Sequence, residues 1–225
     1  LYSSAASDVY KRQLTIPKDF TSKKVVFMMQ GSGPQDMDET VGLNGNKPFR
    51  DLAHGLAKLG VATLRIDKRY VNNAPKEYTV DEEVLSDAKL AIDELKKDSR
   101  FDDVYVLGHS LGAMLAPRVA KEEGLNKVAM LSASTMKFTD IIYSQQMEYL
   151  DSGEVSQSVA DFQKKEITKI KEQIDAMTEK TKGNFFSMPA SYVYSVNQVS
   201  PVDDIKSSDF DVFIAHGSKA VSYTH

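Results

Sequence analysis

A chain of 225 residues with a formal charge of −4 has the length for one substantial core and offers no cationic surface to a nucleic acid. Cysteine is absent, which excludes disulfides, a thiolate nucleophile and Cys-ligated zinc. No apolar run approaches the ~18 residues of a membrane helix, and the composition leaves both compartment and oligomeric state open.

The two ends stand apart from the rest. Ser3 to Gln13 reads codon by codon as the in-frame translation of a transposon library adapter, and Val221 to His225 as the reverse adapter end. Residues 1–13 and 221–225 are therefore expected to be adapter-derived, leaving a domain over 14–220 that is truncated on both sides.

Within it the first predicted element is a buried strand over 24–30, where Val25, Val26, Phe27, Met28 and Met29 form an apolar run. Gln30-Gly31-Ser32-Gly33-Pro34 cannot continue that strand and reads as a loop with exposed N–H groups. Phe49, Leu52, Ala53, Leu56 and Leu59 recur at helical spacing, so a helix is predicted over 49–59, stopped by Gly60. A strand over 61–66 leads into Asp67-Lys68-Arg69, for which a solvated end or local ion pair and a substrate contact weigh equally. A helix over 80–97 rests on Val84, Leu85, Ala88, Ile92 and Leu95. A strand over 103–107 follows, and then a helix from 111 to about 123 that Pro117 should bend by removing a hydrogen bond to Ala113. Strands over 127–131 and 211–215 complete the alternation. Such alternation specifies an α/β fold with a mostly parallel sheet, helices on both faces and ligands at the carboxyl ends of the strands.

Residues 137–208 interrupt this rhythm and are predicted to carry helices of their own. Phe138, Ile141, Ile142 and Tyr149 mark one; Val159, Phe162, Ile167, Ile170, Ile174 and Met177 mark a longer one. The functional expectation is a helical cap, with Met136, Met147, Phe185, Phe186, Tyr192 and Tyr194 available to line an acyl pocket. The alternative is that these side chains pack the insertion's own core.

Gly108-His109-Ser110-Leu111-Gly112 joins the strand over 103–107 to the helix that follows, the place where a sharp turn lifts a serine hydroxyl clear of a sheet. Ser110 is thus the candidate nucleophile. In that arrangement the oxyanion hole takes the N–H of the following residue, Leu111, and a second from the glycine-rich loop, for which Ser32 is the candidate. Gly31-Ser32-Gly33 is not a phosphate cradle, because no P-loop lysine follows. Asp36, Asp38 and Glu39 have neither a nearby histidine nor calcium-loop spacing and read as a hydrated loop, so no metal is assigned. His54 on its helix and His109 in the turn are expected to pack or to make local hydrogen bonds.

The stretch from Gln30 to Thr40, Asn46-Lys47-Pro48-Phe49, Asp67-Lys68-Arg69 and the turn around Ser110 resembles bacterial α/β-hydrolases of the serine hydrolase, esterase and acyl-CoA thioesterase-like kind. The resemblance runs from Leu14 to Lys219, with Gln30 where the family often has His and Met37 where it often has Arg. It implies an ester or thioester hydrolase working through an acyl-enzyme on Ser110, on a small-molecule substrate and with no metal or organic cofactor. An acyltransferase and a non-catalytic ligand-binding module on the same scaffold are the alternatives. The triad order Ser, acid, His places the acid after the strand over 211–215 and the histidine later. His216 comes too early and His225 belongs to the adapter tail. An aspartate is therefore expected at position 220 of the intact gene, where Ala220 stands, and the chain as given is expected to be inactive.

Overall fold

The structure, a computed structural model, describes residues 11–217; the expectations for residues 1–10, Ala220 and 221–225 lie outside them. The first strand, β1 (Arg12–Thr15), was not predicted, and it includes two residues set apart on the sequence. It pairs antiparallel with β3, Arg12 opposite Ile66 and Gln13 opposite Arg65, while Arg65 Nη2 donates to Gln13 Oε1 at 2.7 Å.

β2 (Lys24–Met29) leads through the glycine-rich loop to α1 (Pro48–Lys58), whose opening proline has the φ a helix needs and forgoes an N–H that would have no intrahelical acceptor. β3 (Ala62–Ile66) follows. The segment predicted as one helix over 80–97 instead begins with a π-helical turn, Asp81–Leu85, and continues as α2 (Ser86–Lys97). The wide turn carries Glu83 inward beside Val84 and Leu85, all three buried. β4 (Asp103–His109) runs two residues past its predicted end, because Gly108 and His109 still pair with Met130 and Leu131 of the neighbouring strand. α3 (Leu111–Glu122) continues through Pro117 without interruption, and β5 (Lys127–Leu131) comes next.

Residues 137–208 hold more structure than the two predicted helices. α4 (Phe138–Asp151) and α5 (Gln157–Asp175) pack on one another, and a short hairpin of β6 (Asn184–Phe185) and β7 (Met188–Pro189) follows. α6 (Ala190–Val196) and α7 (Pro201–Lys206), neither predicted, return to the body. Tyr192 and Val196 of α6 enter the main core, and α7 docks on α3 through Asp204, which accepts from Arg118 Nε at 2.8 Å. β8 (Asp211–Ala215) closes the described part of the sheet.

The strand order is β1-β3-β2-β4-β5-β8, parallel except for β1. β2 is paired on both sides, and its alternate side chains serve two cores. Val25, Phe27 and Met29 join Ile92, Leu95, Leu115 and Val119 on the face covered by α2 and α3, while Val26 and Met28 meet Phe49 and Ala53 of α1 on the other. The carboxyl ends of β2 and β4 therefore emerge side by side, Met29 opposite Gly108, and both motif loops leave from that edge.

Candidate active site

Ser110 sits between the last residue of β4 and the first of α3 at φ 52° and ψ −117°, a conformation that L-residues avoid. Such backbone stores roughly 1–3 kcal/mol and persists only where its surroundings enforce it. Two glycines do so here. A Cβ on Gly108 would lie 2.2 Å from the Gly112 carbonyl oxygen, and one on Gly112 would lie 2.2 Å from that of Met29. The turn is thus pressed against both α3 and the end of β2, and Ser110 N–H is tied to the Leu131 carbonyl at 2.9 Å. Leu111 opens α3, where the first N–H groups of a helix have no intrahelical acceptor.

The glycine-rich loop passes directly beside the serine. A Cβ on Gly31 would stand 3.3 Å from Ser110 Cβ. Ser32, Ser110 and Leu111 line one cavity of about 240 Å³, walled on one side by His109, Met114 and Ser132 and on the other by Phe138, Ile141, Ile142 and Gln145 of α4. The structure thereby brings together all three residues that the sequence nominated. It does not do so for the nominated pocket lining. Tyr192 is buried against Tyr78 in the main core, ring centroids 5.1 Å apart, and none of Met136, Met147, Phe185, Phe186 or Tyr194 borders this cavity. A second, more open groove of about 480 Å³ shares Ile142 and Gln145 with it and continues between α4 and α5 past Tyr149, Leu150 and Ile167.

The loop after β2 is not the hydrated segment expected from its carboxylates. Asp38 and Glu39 are buried, and each acid has a defined task. Asp36 accepts the N–H groups of Asp38 and Thr40 at 3.1 and 2.9 Å; burial raises its pKa, but these bonds together with the one from the Thr40 hydroxyl outweigh it and carry the pKa below the usual value. Asp38 takes the fully buried Arg65 and, at 3.0 Å, Lys47 Nζ. Glu39, at φ 54°, turns its Oε1 back to accept Gly31 N–H at 2.6 Å and to bond His109 Nδ1 at 2.8 Å. That bond raises the pKa of His109, with burial opposing it. The expected local hydrogen bond of His109 is therefore present, while His54 lies exposed on α1.

Asp67-Lys68-Arg69 also turns inward. Asp67 Oδ1 accepts Met37 N–H at 2.8 Å, Arg69 pairs with Asp87, and Lys68 Nζ donates to the Gly31 carbonyl at 2.6 Å. Burial holds the Lys68 ammonium below its usual pKa although Glu83 and Glu39 pull the other way. Sequence reasoning took Glu39 for part of a hydrated loop and left Asp67-Lys68-Arg69 open between an ion pair and a substrate contact; it gave neither Glu39 nor Lys68 its place on Gly31, although both lie in the stretches that carry the resemblance. Among the described residues no group of three or more His, Cys, Asp or Glu side chains is gathered as a metal site, and no helix is long and apolar enough to cross a membrane.

No protein-family model matches the chain. Esterase EstD of Thermotoga maritima is 33% identical over 214 residues, a match that covers 94% of this chain and 50% of that protein. The chain thus spans about half the length of the curated relative it matches. Among solved structures, Est1E from Butyrivibrio proteoclasticus superposes with a TM-score of 0.60 at 19% identity, covering 95% of this chain and 76% of its own. An esterase of Pyrococcus furiosus gives 0.55 at 18% identity, covering 91% and 68%. With the parallel sheet and its strand-to-helix turn, these likenesses show an α/β-hydrolase fold.

Proposed function

We propose that this domain supplies the nucleophile and oxyanion hole of a serine hydrolase that cleaves a carboxylic ester or thioester. The observation that carries the reading is Ser110 held at φ 52° on the carboxyl edge of the sheet, in one cavity with Ser32 and Leu111. Similarity to an esterase supports the same class of reaction.

Ser110 Oγ attacks the substrate carbonyl carbon while a general base takes its proton, and the carbonyl electrons move onto oxygen. The N–H groups of Leu111 and Ser32 receive that oxyanion; losing one such donor typically raises the barrier by about 3 kcal/mol. Collapse of the tetrahedral intermediate expels the alcohol or thiol, which collects the proton, and leaves an acyl group on Ser110. Water then repeats the sequence and releases the acid. No metal or organic cofactor enters this scheme. The triad order Ser, acid, His assigns the base and its acid partner to the chain after β8. α4 and α5 act as the cap: the cavity holds the reacting carbonyl, and the adjoining groove selects the acyl chain.

The test is an intact-mass experiment on the full-length protein with a fluorophosphonate probe. The wild type gains one label and Ser110→Ala none, because only an activated serine reacts readily. Equal labelling of both proteins overturns the assignment. Absence of label in both replaces it with a non-catalytic binding module.

A further inference from the structure

The Gly31–Ser32 peptide is gripped at its carbonyl by a buried cation. Lys68 Nζ donates to the Gly31 carbonyl at 2.6 Å, and its side chain is only 3% exposed. The preceding N–H, that of Gly31, is held equally closely by the buried carboxylate of Glu39. A lysine removed from water ordinarily finds a carboxylate. Here Glu83 Oε1 stands 3.9 Å away, beyond hydrogen-bond reach, and the hydrogen bond goes to a neutral carbonyl instead.

Which peptide that carbonyl belongs to gives the arrangement its meaning. The C=O of Gly31 and the N–H of Ser32 are two ends of one planar unit, and because the peptide is trans they point in opposite directions. Lys68 at the oxygen therefore leaves the Ser32 N–H aimed away from itself. A cation at the oxygen draws electron density through the amide and makes the N–H a stronger donor, an effect enlarged where water is excluded. Glu39 alone would do the reverse, since a carboxylate this near opposes negative charge arising on a substrate. Lys68 offsets it.

We propose that Lys68 is a positioning residue for the oxyanion hole: acting through the Gly31–Ser32 peptide, it fixes the plane of that peptide and polarises the Ser32 N–H toward the charge that develops on the substrate carbonyl. The proposal rests on the reading of Ser110 as nucleophile and Ser32 as oxyanion donor.

The experiment compares full-length wild type, Lys68→Met and Lys68→Arg on p-nitrophenyl acetate, with kcat expressed per Ser110 titrated by a fluorophosphonate. Lys68→Met should lower kcat about 10- to 100-fold, less than or equal to the loss of a whole oxyanion donor. KM should stay within about twofold, because the bond matters most where charge appears. Phosphonylation of Ser110 should slow in proportion, and Lys68→Arg should recover most of the loss. A purely structural lysine would instead reduce the titratable fraction and leave kcat per active site unchanged, and that outcome overturns the proposal. So does a loss confined to KM. If Lys68→Met yields no folded protein, Lys68→Gln carries the same test through its neutral donor, with an intermediate kcat expected and a wild-type kcat fatal. A wild type that the probe does not label removes the hydrolase reading and this inference with it, whereas labelled wild type with unaltered Lys68→Met kinetics removes the inference alone.

Discussion

Two helices border the Ser110 cavity or its adjoining groove on opposite terms. In α3, nine of twelve residues are buried, whereas in α5 only Ala160 and Ile174 of nineteen are. α4 lies between these extremes, with Phe138, Thr139 and Leu150 buried and its other inward residues half-exposed. The floor of the site is fixed by close backbone contact and by bonds to buried charges, so each part is determined several times over. The opposite wall is thinly packed and open to repacking. Chemistry that tolerates little displacement sits on the first. The groove proposed to take the acyl group lies against the second.

Gly112→Ala attacks the floor most directly, because its methyl group would have to occupy the space of the Met29 carbonyl. Overpacking of a core costs about 1–3 kcal/mol and occasionally more, and contact with backbone puts this case at the upper end. A fall in melting temperature of roughly 10 °C is expected for a domain of this size; a fall under about 2 °C would dissolve the contrast. Leu115→Ala and Leu150→Ala then compare the regions at equal chemistry, one leucine 1% and the other 4% exposed. Within the usual range of about 2–5 kcal/mol, Leu115 should lie toward the top and Leu150 toward the bottom. Hydrogen exchange sharpens the distinction: Leu150→Ala should raise exchange in α4 and α5 alone, Leu115→Ala throughout the sheet.

On the adaptable wall, Ile142→Trp should narrow the passage from cavity to groove. The kcat/KM ratio of an octanoyl to an acetyl ester should fall about tenfold, within the range that pocket contacts command, with melting temperature little changed. An unaltered chain-length profile would show that acyl groups do not use the groove. The smallest effect belongs to His109. Its pKa is raised, so its contribution to stability is full below the unfolded value near 6.5 and is lost as pH rises through the folded value. Melting temperature should therefore show a shallow decline above pH 6.5 that Glu39→Gln flattens, checked against the His109 ring proton titration. The side chain is 40% exposed, so added salt should weaken the decline.

Legibility in the sequence divides along similar lines. β2 to β5, β8 and α1 to α5 announce themselves through local apolar runs and periodicity, and Ser110 through the flanking glycines that a turn pressed this close to neighbouring backbone requires. Glu39 and Lys68 carry no such mark: their partners are 70 and 37 residues distant, and a charged side chain reads as surface until the fold supplies its counterpart. β1 is too short for an alternation to register, and its pairing with β3 is a property of the sheet. α6 and α7, of seven and six residues, are below the length at which helical spacing stands out. The cavity lining failed for another reason. Spacing identifies the apolar residues of the insertion but not which of its helices turns toward Ser110.

The backbone at Ser110 also has a consequence for how this protein changes under selection. Glycine occupies φ 52° and ψ −117° with little strain, so Ser110→Gly should relax the turn and raise the melting temperature. A library screened for thermal endurance alone would accordingly enrich the substitution that removes the proposed nucleophile, and improvement by that route would be indistinguishable from extinction unless turnover were assayed in every round.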